Sequence, residues 1–394
     1  MFKNNISIIG GAGHVGFPLG LAFAESGMKV NLVDTNKQSN ILINSGELPF
    51  KEDKAKKILQ KNLKKKKIFA TTNIKSCLTS KFIIISVGTP ISQKNLKPKT
   101  QDLLNFFYKL KKYIKKDQII IVRSSVYPGI CEKIYNILKP KNKNLSYCPE
   151  RIIQGKSLIE LPKLPQIVSG FNDKAINNSV DLFKKISKKI IITGVLEAEL
   201  IKLFSNAYRY IHFSIANQFY KICEDLDVDF NLIRKNMMQG YNRNKNIPKQ
   251  GFTGGPCLLK DTMQLAAFCK NNFELGYAAM NINENLPVYL IKNIKNYEKK
   301  KIGILGLSFK AGTDDTRDSL SFKLIEFLKK KKIKYFINDP FVKIKNNLKI
   351  QDVIKKSDLI FIATPHNQYR KIKVTKDKIL IDVWNITDKW KIKS

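Results

Sequence analysis

The sequence predicts an α/β fold: two doubly wound domains joined by a long central helix and a helical middle region. Three observations predict it. Short apolar runs alternate with helical patterns toward both ends of the chain, as expected of β/α units around parallel sheets. A glycine-rich turn, Gly11-x-Gly13-x-x-Gly16, follows the first of those runs. Between the two β/α regions, Glu197 to Glu224 contains no Gly or Pro and repeats its apolar positions at helical spacing. The expected divisions are residues 1–194, 195–298 and 299–394.

At 394 residues the chain is long enough for two or three domains, each with its own core. Met1–Asn5 shows no signal-peptide pattern and no apolar run reaches the length of a membrane span, so the chain is expected in the cytoplasm and off the membrane. Six scattered cysteines lack metal-ligand spacing and read as free thiols, with no metal site. The net charge of +39 raises the question of nucleic acid. Only seven of the 71 basic residues are arginine, and the lysines are spread along the whole chain without interleaved aromatics. A compositional bias toward Lys, Asn and Ile on solvated positions explains this, and nucleic acid is not expected as a partner. Where arginine survives such a bias, its planar fork is expected to matter.

Taken in order, Ile6–Ile9 is the first strand and a helix is expected over Val15–Ser26, stopped by Gly27. A second strand, Val30–Val33, ends in Asp34. In this arrangement Gly11 makes the tight turn, Gly13 admits a pyrophosphate to the helix N-terminus, and Gly16 lets helix and strand pack. Asp34 meets the ribose hydroxyls, which favours NAD over NADP. His14 and Val15 within the turn, and Lys37 beyond Asp34, complete the candidate cofactor contacts. Further strands are expected at Lys81–Ser86, Gln118–Val122, Leu145–Cys148 and Lys189–Thr193, with a helix over Leu103–Ile114. Loops after parallel strands bind ligands, so Thr89, Ser124 and Ser125 are candidates for cofactor and reacting-centre contacts, with ordinary capping as the other reading.

On the long helix, Lys202 and Asn206 are four apart and share a face. Then comes Gly251-Phe252-Thr253-Gly254-Gly255-Pro256-Cys257-Leu258-Leu259-Lys260-Asp261. Its glycines, Gly254 among them, let backbone approach a ligand closely. A cysteine at a helix start beside a lysine is placed to act as a thiolate nucleophile. Helices are expected over Asp261–Asn271 and Leu275–Tyr297, then a second Rossmann-like domain with strands near Lys301–Leu305, Lys334–Ile337, Leu359–Ala363 and Ile379–Ile381. His366 either touches ligand or caps a loop.

With these motifs in order, the chain resembles the UDP-glucose/GDP-mannose dehydrogenase family over essentially its full length. The motifs are the glycine fingerprint with Asp34, Ser124-Ser125-Val126-Tyr127-Pro128-Gly129, Pro149-Glu150-Arg151, Glu199–Tyr208, the cysteine loop, and Leu307-Ser308-Phe309-Lys310 with Asp315-Thr316-Arg317. The resemblance implies NAD-dependent, four-electron oxidation of the C6 hydroxyl of a UDP-sugar to a uronic acid, feeding surface polysaccharide synthesis. Cys257 would capture the aldehyde as a thiohemiacetal and carry it on as a thioester. Lys202 and Asn206 would stabilise oxyanion charge, Asp261 would orient water beside Ser125, and Glu150 would take part in hydrolysis. Arg151, Gly254, Lys260, Lys310 and Arg317 would bind substrate, Arg243 would reach the substrate of a neighbouring subunit, and the long helix would carry the contact of a homodimer or higher homo-oligomer.

There are departures. Ser125 stands where many members have threonine, and Gln154 replaces a second acid of the UDP-glucose enzymes. Pro-Glu-Arg is similar to the branch acting on UDP-N-acetylhexosamines, such as UDP-N-acetylmannosamine, and Asp382–Asn385 stands where others carry an arginine-containing loop. Two other functions fit parts of the chain. A two-electron hydroxyacid dehydrogenase using Lys202 and Asn206 would form one NADH per substrate and leave the cysteine loop unused. A polyanion-binding protein on the same fold would show salt-dependent binding to random DNA.

Overall fold

A computed structural model describes residues 5–92, 98–270 and 272–387. The expected helix end at Asn271 lies outside them. The chain forms two compact units, one running up to Ser205 with Met263–Lys270 added, the other comprising Asn206–Thr262 and the remainder.

The first unit is built from β1 (Asn5–Ile9), α1 (Gly16–Glu25), β2 (Lys29–Val33), α2 (Lys37–Asn44), α3 (Ala55–Lys64), β3 (Ile68–Thr71), β4 (Phe82–Ile85), α4 (Thr100–Leu110), β5 (Ile119–Val122), α5 (Ile130–Leu138), β6 (Leu145–Tyr147), α6 (Ser157–Glu160), β7 (Gln166–Gly170), α7 (Asp173–Phe183) and β8 (Ile190–Ile192). The strands make one sheet in the order β3-β2-β1-β4-β5-β6-β7-β8. Its pairs are parallel except β6 with β7. Every residue of β4 and β5 is buried, which is why these strands read as unbroken apolar runs. The order reverses between β1 and β4, so the loops after these two strands flank the crevice where such sheets bind ligands.

The helix α8 (Val195–Asp225) leads from the first unit into the second. There follow α9 (Phe230–Met238), α10 (Leu258–Phe268), α11 (Glu274–Lys292), β9 (Ile302–Leu305), α12 (Leu320–Lys330), β10 (Tyr335–Asn338), α13 (Ile350–Lys356), β11 (Leu359–Ile362) and β12 (Ile379–Asp382). The four strands are parallel in the order β10-β9-β11-β12, again with a reversal, between β9 and β11. One apolar core joins Ala216 and Tyr220 of α8, Phe252 of the cysteine loop, Leu286 and Leu290 of α11, and Ile302, Ile304 and Phe361 of the sheet.

Several boundaries differ from expectation. The helix after the cysteine loop begins at Leu258, not Asp261, because Cys257 already accepts the first helical bond from Asp261 N–H at 2.9 Å. The helix expected to run to Tyr297 stops at Lys292, since Asn293 caps it and Asn296 turns left-handed at φ 55°. Along α8, Phe204, Tyr208, Ile215, Phe219 and Ile222 are exposed and fall on one stripe. Among the described residues no helix is long and apolar enough to cross a membrane.

Candidate active site

In the first unit the glycine loop follows β1. The residue in left-handed conformation is Gly10, at φ 80°, so the tight turn expected of Gly11 is made one residue earlier. Gly11 serves packing instead: a Cβ there would lie 2.7 Å from the Leu32 Cα. At Gly16 a Cβ would meet the Gly10 carbonyl oxygen at 2.2 Å, which is how α1 comes so close to the turn. Around Gly13, by contrast, only that carbonyl lies within reach, at 3.3 Å. The loop therefore has room for a ligand group at the start of α1, where no side chain caps the helix. Asp34 closes β2 and accepts from Ala12 N–H and Asn36 N–H, each at 3.0 Å. Ionised, it retains lone pairs for a ribose hydroxyl. His14 lies 2.9 Å from Gln154 Nε2 and packs on the Phe50 ring. Val15 is the residue before α1, and Lys37 opens α2 with its side chain exposed.

Across the crevice, Thr89 donates to the Ser125 carbonyl at 2.6 Å, and Ser124 donates to the Val87 carbonyl at 2.7 Å. Both hydroxyl protons are thus spent on holding loops together, while Ser125 is half-buried after β5. Glu150 is buried. One of its oxygens accepts from Arg123 Nη2, and the other accepts from the Arg151 and Ile152 N–H groups at 2.8 and 3.1 Å. Arg123, absent from the sequence-based candidates, also donates to the Cys148 carbonyl and to Gln166, and stacks on Phe183. Arg151 donates to the Pro165 carbonyl, and its partial burial lowers its pKa from the ordinary arginine value.

Lys202 on α8 is buried and, among the described residues, has no hydrogen-bond or ion-pair partner. A buried ammonium without a counter-charge is costly, and an anionic group nearby relieves that cost.

In the second unit Cys257 is exposed at the start of α10. One turn on, Asp261 is fully buried. It accepts from Asn206 Nδ2 at 2.6 Å through Oδ2, and its Oδ1 lies 3.2 Å from Lys260 Nζ without a hydrogen bond. So the structure joins Asn206 to Asp261, and the amide keeps a second N–H for an incoming oxygen.

The loop before the cysteine is tightly enclosed. Asn217 both donates to the Gly251 carbonyl and accepts from its N–H, at 3.0 and 2.9 Å. A Cβ on Gly251 would strike the Trp384 ring at 2.3 Å, and one on Gly254 would strike the Asp318 carbonyl at 2.5 Å. Gly255, at φ 102°, lies against Phe309 and donates to the Asp318 carbonyl. Trp384 therefore places an aromatic wall against the cysteine loop. Asn217, which anchors this loop from α8, is absent from the sequence-based candidates.

Lys310 is half-buried on the loop after β9. Arg317 holds Asp315 with a bidentate fork. Burial works to lower the Arg317 pKa, but Asp315 and the neighbouring Cys257 and Asp318 together raise it. Arg243 is exposed on the turn Asn242–Asn244 and leans on Tyr241. His366 is completely buried, so of its two readings the structure supports the loop cap.

Comparison with known proteins agrees with this geometry. Models of the UDP-glucose/GDP-mannose dehydrogenase family match residues 4–191 as its NAD binding domain, 196–285 as its central domain and 303–389 as its UDP binding domain. The UDP-N-acetyl-D-mannosamine dehydrogenase of Methanococcus vannielii is 29% identical, over 95% of this chain and 92% of that protein. A UDP-glucose 6-dehydrogenase of Rickettsia bellii is 27% identical, over 97% and 95%. The solved UDP-D-ManNAc dehydrogenase of Pyrococcus horikoshii superposes with a TM-score of 0.88 at 27% identity, covering 97% of this chain and 96% of that one. The glycine cradle, the cysteine loop and these matches along the whole chain lead to one conclusion: the protein belongs to the UDP-glucose/GDP-mannose dehydrogenase family.

Proposed function

We propose that this dehydrogenase oxidises the C6 alcohol of a UDP-N-acetylhexosamine, with UDP-N-acetylmannosamine the foremost candidate, to the uronic acid. The observation that carries the reading is the exposed Cys257 one helical turn from the buried, Asn206-bonded Asp261. The named relatives and the Pro-Glu-Arg segment support the sugar class. In this reading residues 1–194 hold NAD, 195–298 carry the cysteine loop and the self-association face, and 299–394 take the UDP moiety. The fit of NAD rests on the open approach to Gly13 and on Asp34 at the end of β2.

Bound NAD supplies a hydride acceptor, once for each oxidation. The chain's own residues do the rest. Lys202, a buried cation, favours the developing alkoxide. The Cys257 sulfur adds to the aldehyde carbon, forming a thiohemiacetal whose oxygen takes a proton. Loss of the hydrogen on C6 as hydride, with the hydroxyl hydrogen released as a proton, leaves a thioester. Asp261, with one oxygen fixed by Asn206, orients the water that attacks it, and the thiol leaves as the carboxylate forms. The exposed apolar stripe of α8 supports a homodimer packed along that helix.

NADH counted per sugar consumed tests this, using UDP-N-acetylmannosamine, UDP-N-acetylglucosamine and UDP-glucose. Two NADH and a uronic acid from an N-acetylhexosamine are expected, with Cys257→Ala losing the acid product. One NADH with a released aldehyde from the wild type would refute the covalent mechanism, and turnover of UDP-glucose alone would refute the sugar class.

A further inference from the structure

The second sheet ends in a polar knot that none of the chemistry above uses. Loops leave the carboxyl ends of β9, β10 and β11, where parallel sheets of this order take their ligands. His366, from the loop after β11, is fully buried. Its Nδ1 receives the Gly312 N–H at 3.1 Å, from the loop after β9. A backbone N–H can only donate, so Nδ1 is the acceptor and Nε2 carries the proton. Nε2 lies 3.2 Å from Asp339 Oδ2, in the loop after β10, and 3.1 Å from Ser308 Oγ. Ser308 spends its own proton on the Lys310 carbonyl at 2.9 Å. Asp339 in turn accepts from Leu307 and Ser308 N–H through Oδ2 and from Phe341 and Val342 N–H through Oδ1. Two side chains thereby fix both ends of the five residues Ser308–Gly312.

That loop carries two things of consequence. One is Lys310. The other is Phe309, whose ring is close enough to Gly255 that a Cβ there would lie 2.5 Å from it. Gly255 is two residues before Cys257.

We propose that the buried His366–Asp339 pair is a positioning device, holding the Ser308–Gly312 loop so that Lys310 meets the diphosphate of the nucleotide sugar while Phe309 sets the cysteine loop. It rests on the reading that this domain takes the UDP moiety. Neither His366 nor Asp339 touches substrate; both act through the loop.

The test uses the full chain with UDP as probe, measuring UDP affinity by calorimetry and Cys257 alkylation by mass spectrometry, with KM and kcat followed alongside. His366→Phe keeps bulk and loses all three polar contacts. His366→Asn keeps an acceptor near the Nδ1 position for Gly312 N–H. Phe309→Ala leaves the knot intact and removes the link to Gly255. His366→Phe is expected to weaken UDP binding about tenfold or more, with a matching rise in KM, and His366→Asn to recover much of it. Phe309→Ala is expected to keep UDP affinity within about twofold while changing the Cys257 alkylation rate and kcat about tenfold. UDP affinity in folded His366→Phe within about twofold of wild type overturns the proposal, as does a failure of His366→Asn to bind better than His366→Phe. An unchanged Cys257 rate in Phe309→Ala overturns the link to the thiol. A wild type that binds NAD but not UDP refutes the underlying reading instead.

Discussion

Glu150→Gln separates a carboxylate that braces the fold from one that acts in hydrolysis. Glu150 is 6% exposed and both its oxygens are engaged, one by Arg123 and the other by two backbone N–H groups. Glutamine offers one oxygen and one NH2. Whichever way it turns, a donor faces a donor, either at Arg123 or at Arg151 and Ile152. Neutralising one member of a buried ion pair costs about 3–5 kcal/mol. Arg123 would still reach the Cys148 carbonyl and Gln166, which puts the loss near the lower end, about 3 kcal/mol. For a unit of this size that lowers the melting temperature by roughly 6–12 °C. The assay is thermal unfolding of the transition that NAD shifts, alongside rapid-quench detection of a Cys257-bound species. A variant that melts within about 2 °C of wild type, yet accumulates a thioester on Cys257, would refute the brace and make Glu150 a catalytic group.

Gly255→Ala combines a left-handed backbone at φ 102° with a Cβ 2.5 Å from Phe309. It should destabilise the second unit by about 2–4 kcal/mol in denaturant melts, and Phe309→Ala should partly rescue it by opening space; no rescue would mean the backbone alone sets the cost. Asp339 is pushed up by burial, but hydrogen bonds from His366, Leu307 and Phe341 outweigh this and hold it at about 2, against an ordinary 3.8. Because the folded value is the lower one, its contribution of about 2 kcal/mol is present above the unfolded value and is lost as pH falls through the folded one. Stability measured between about pH 5 and pH 2 should therefore fall less steeply in Asp339→Asn than in wild type. In the native protein, iodoacetamide should label Cys257 and Cys269, which are exposed, well before the four buried thiols. Burial pushes Cys77 up to about 11 and Cys148 up to about 12. Early labelling of either, read by peptide mapping, would contradict the packing of the first unit.

Much of the fold was legible because its strands are buried on both faces. Isoleucine-rich runs such as Ile119–Val122 can hardly be anything else in a chain so rich in lysine. α3 was not expected from the sequence: four of its ten residues, Lys56, Lys57, Lys61 and Lys64, are lysine, although Ala55, Ile58, Leu59 and Leu63 between them recur at helical spacing. The candidate site was legible where chemistry demands a residue type in sequence, as with Cys257 and Asp261 one turn apart. It was not legible where the demand is three-dimensional. Nothing local marks Phe309 and Trp384 as walls of the cysteine loop, or pairs Asn206 with Asp261 across 55 positions. Arginine scarcity proved informative in a particular way. Arg123, Arg151, Arg234 and Arg317 each place guanidinium N–H groups on fixed acceptors, whereas Arg209 and Arg370 are simply exposed.

The 31-residue helix α8 has a consequence of its own. Its exposed stripe runs through Phe204, Tyr208, Ile215, Phe219 and Ile222, while Lys202 and Asn206 point to the buried side. Successive residues on a helix are turned by about 100°, so slipping α8 by a single position about its own axis would drive a charge or an aromatic ring to the wrong side. The rod has one permitted azimuth. Whatever grips the stripe also clocks the lysine and the asparagine, and a substitution there can mis-aim groups that it never touches.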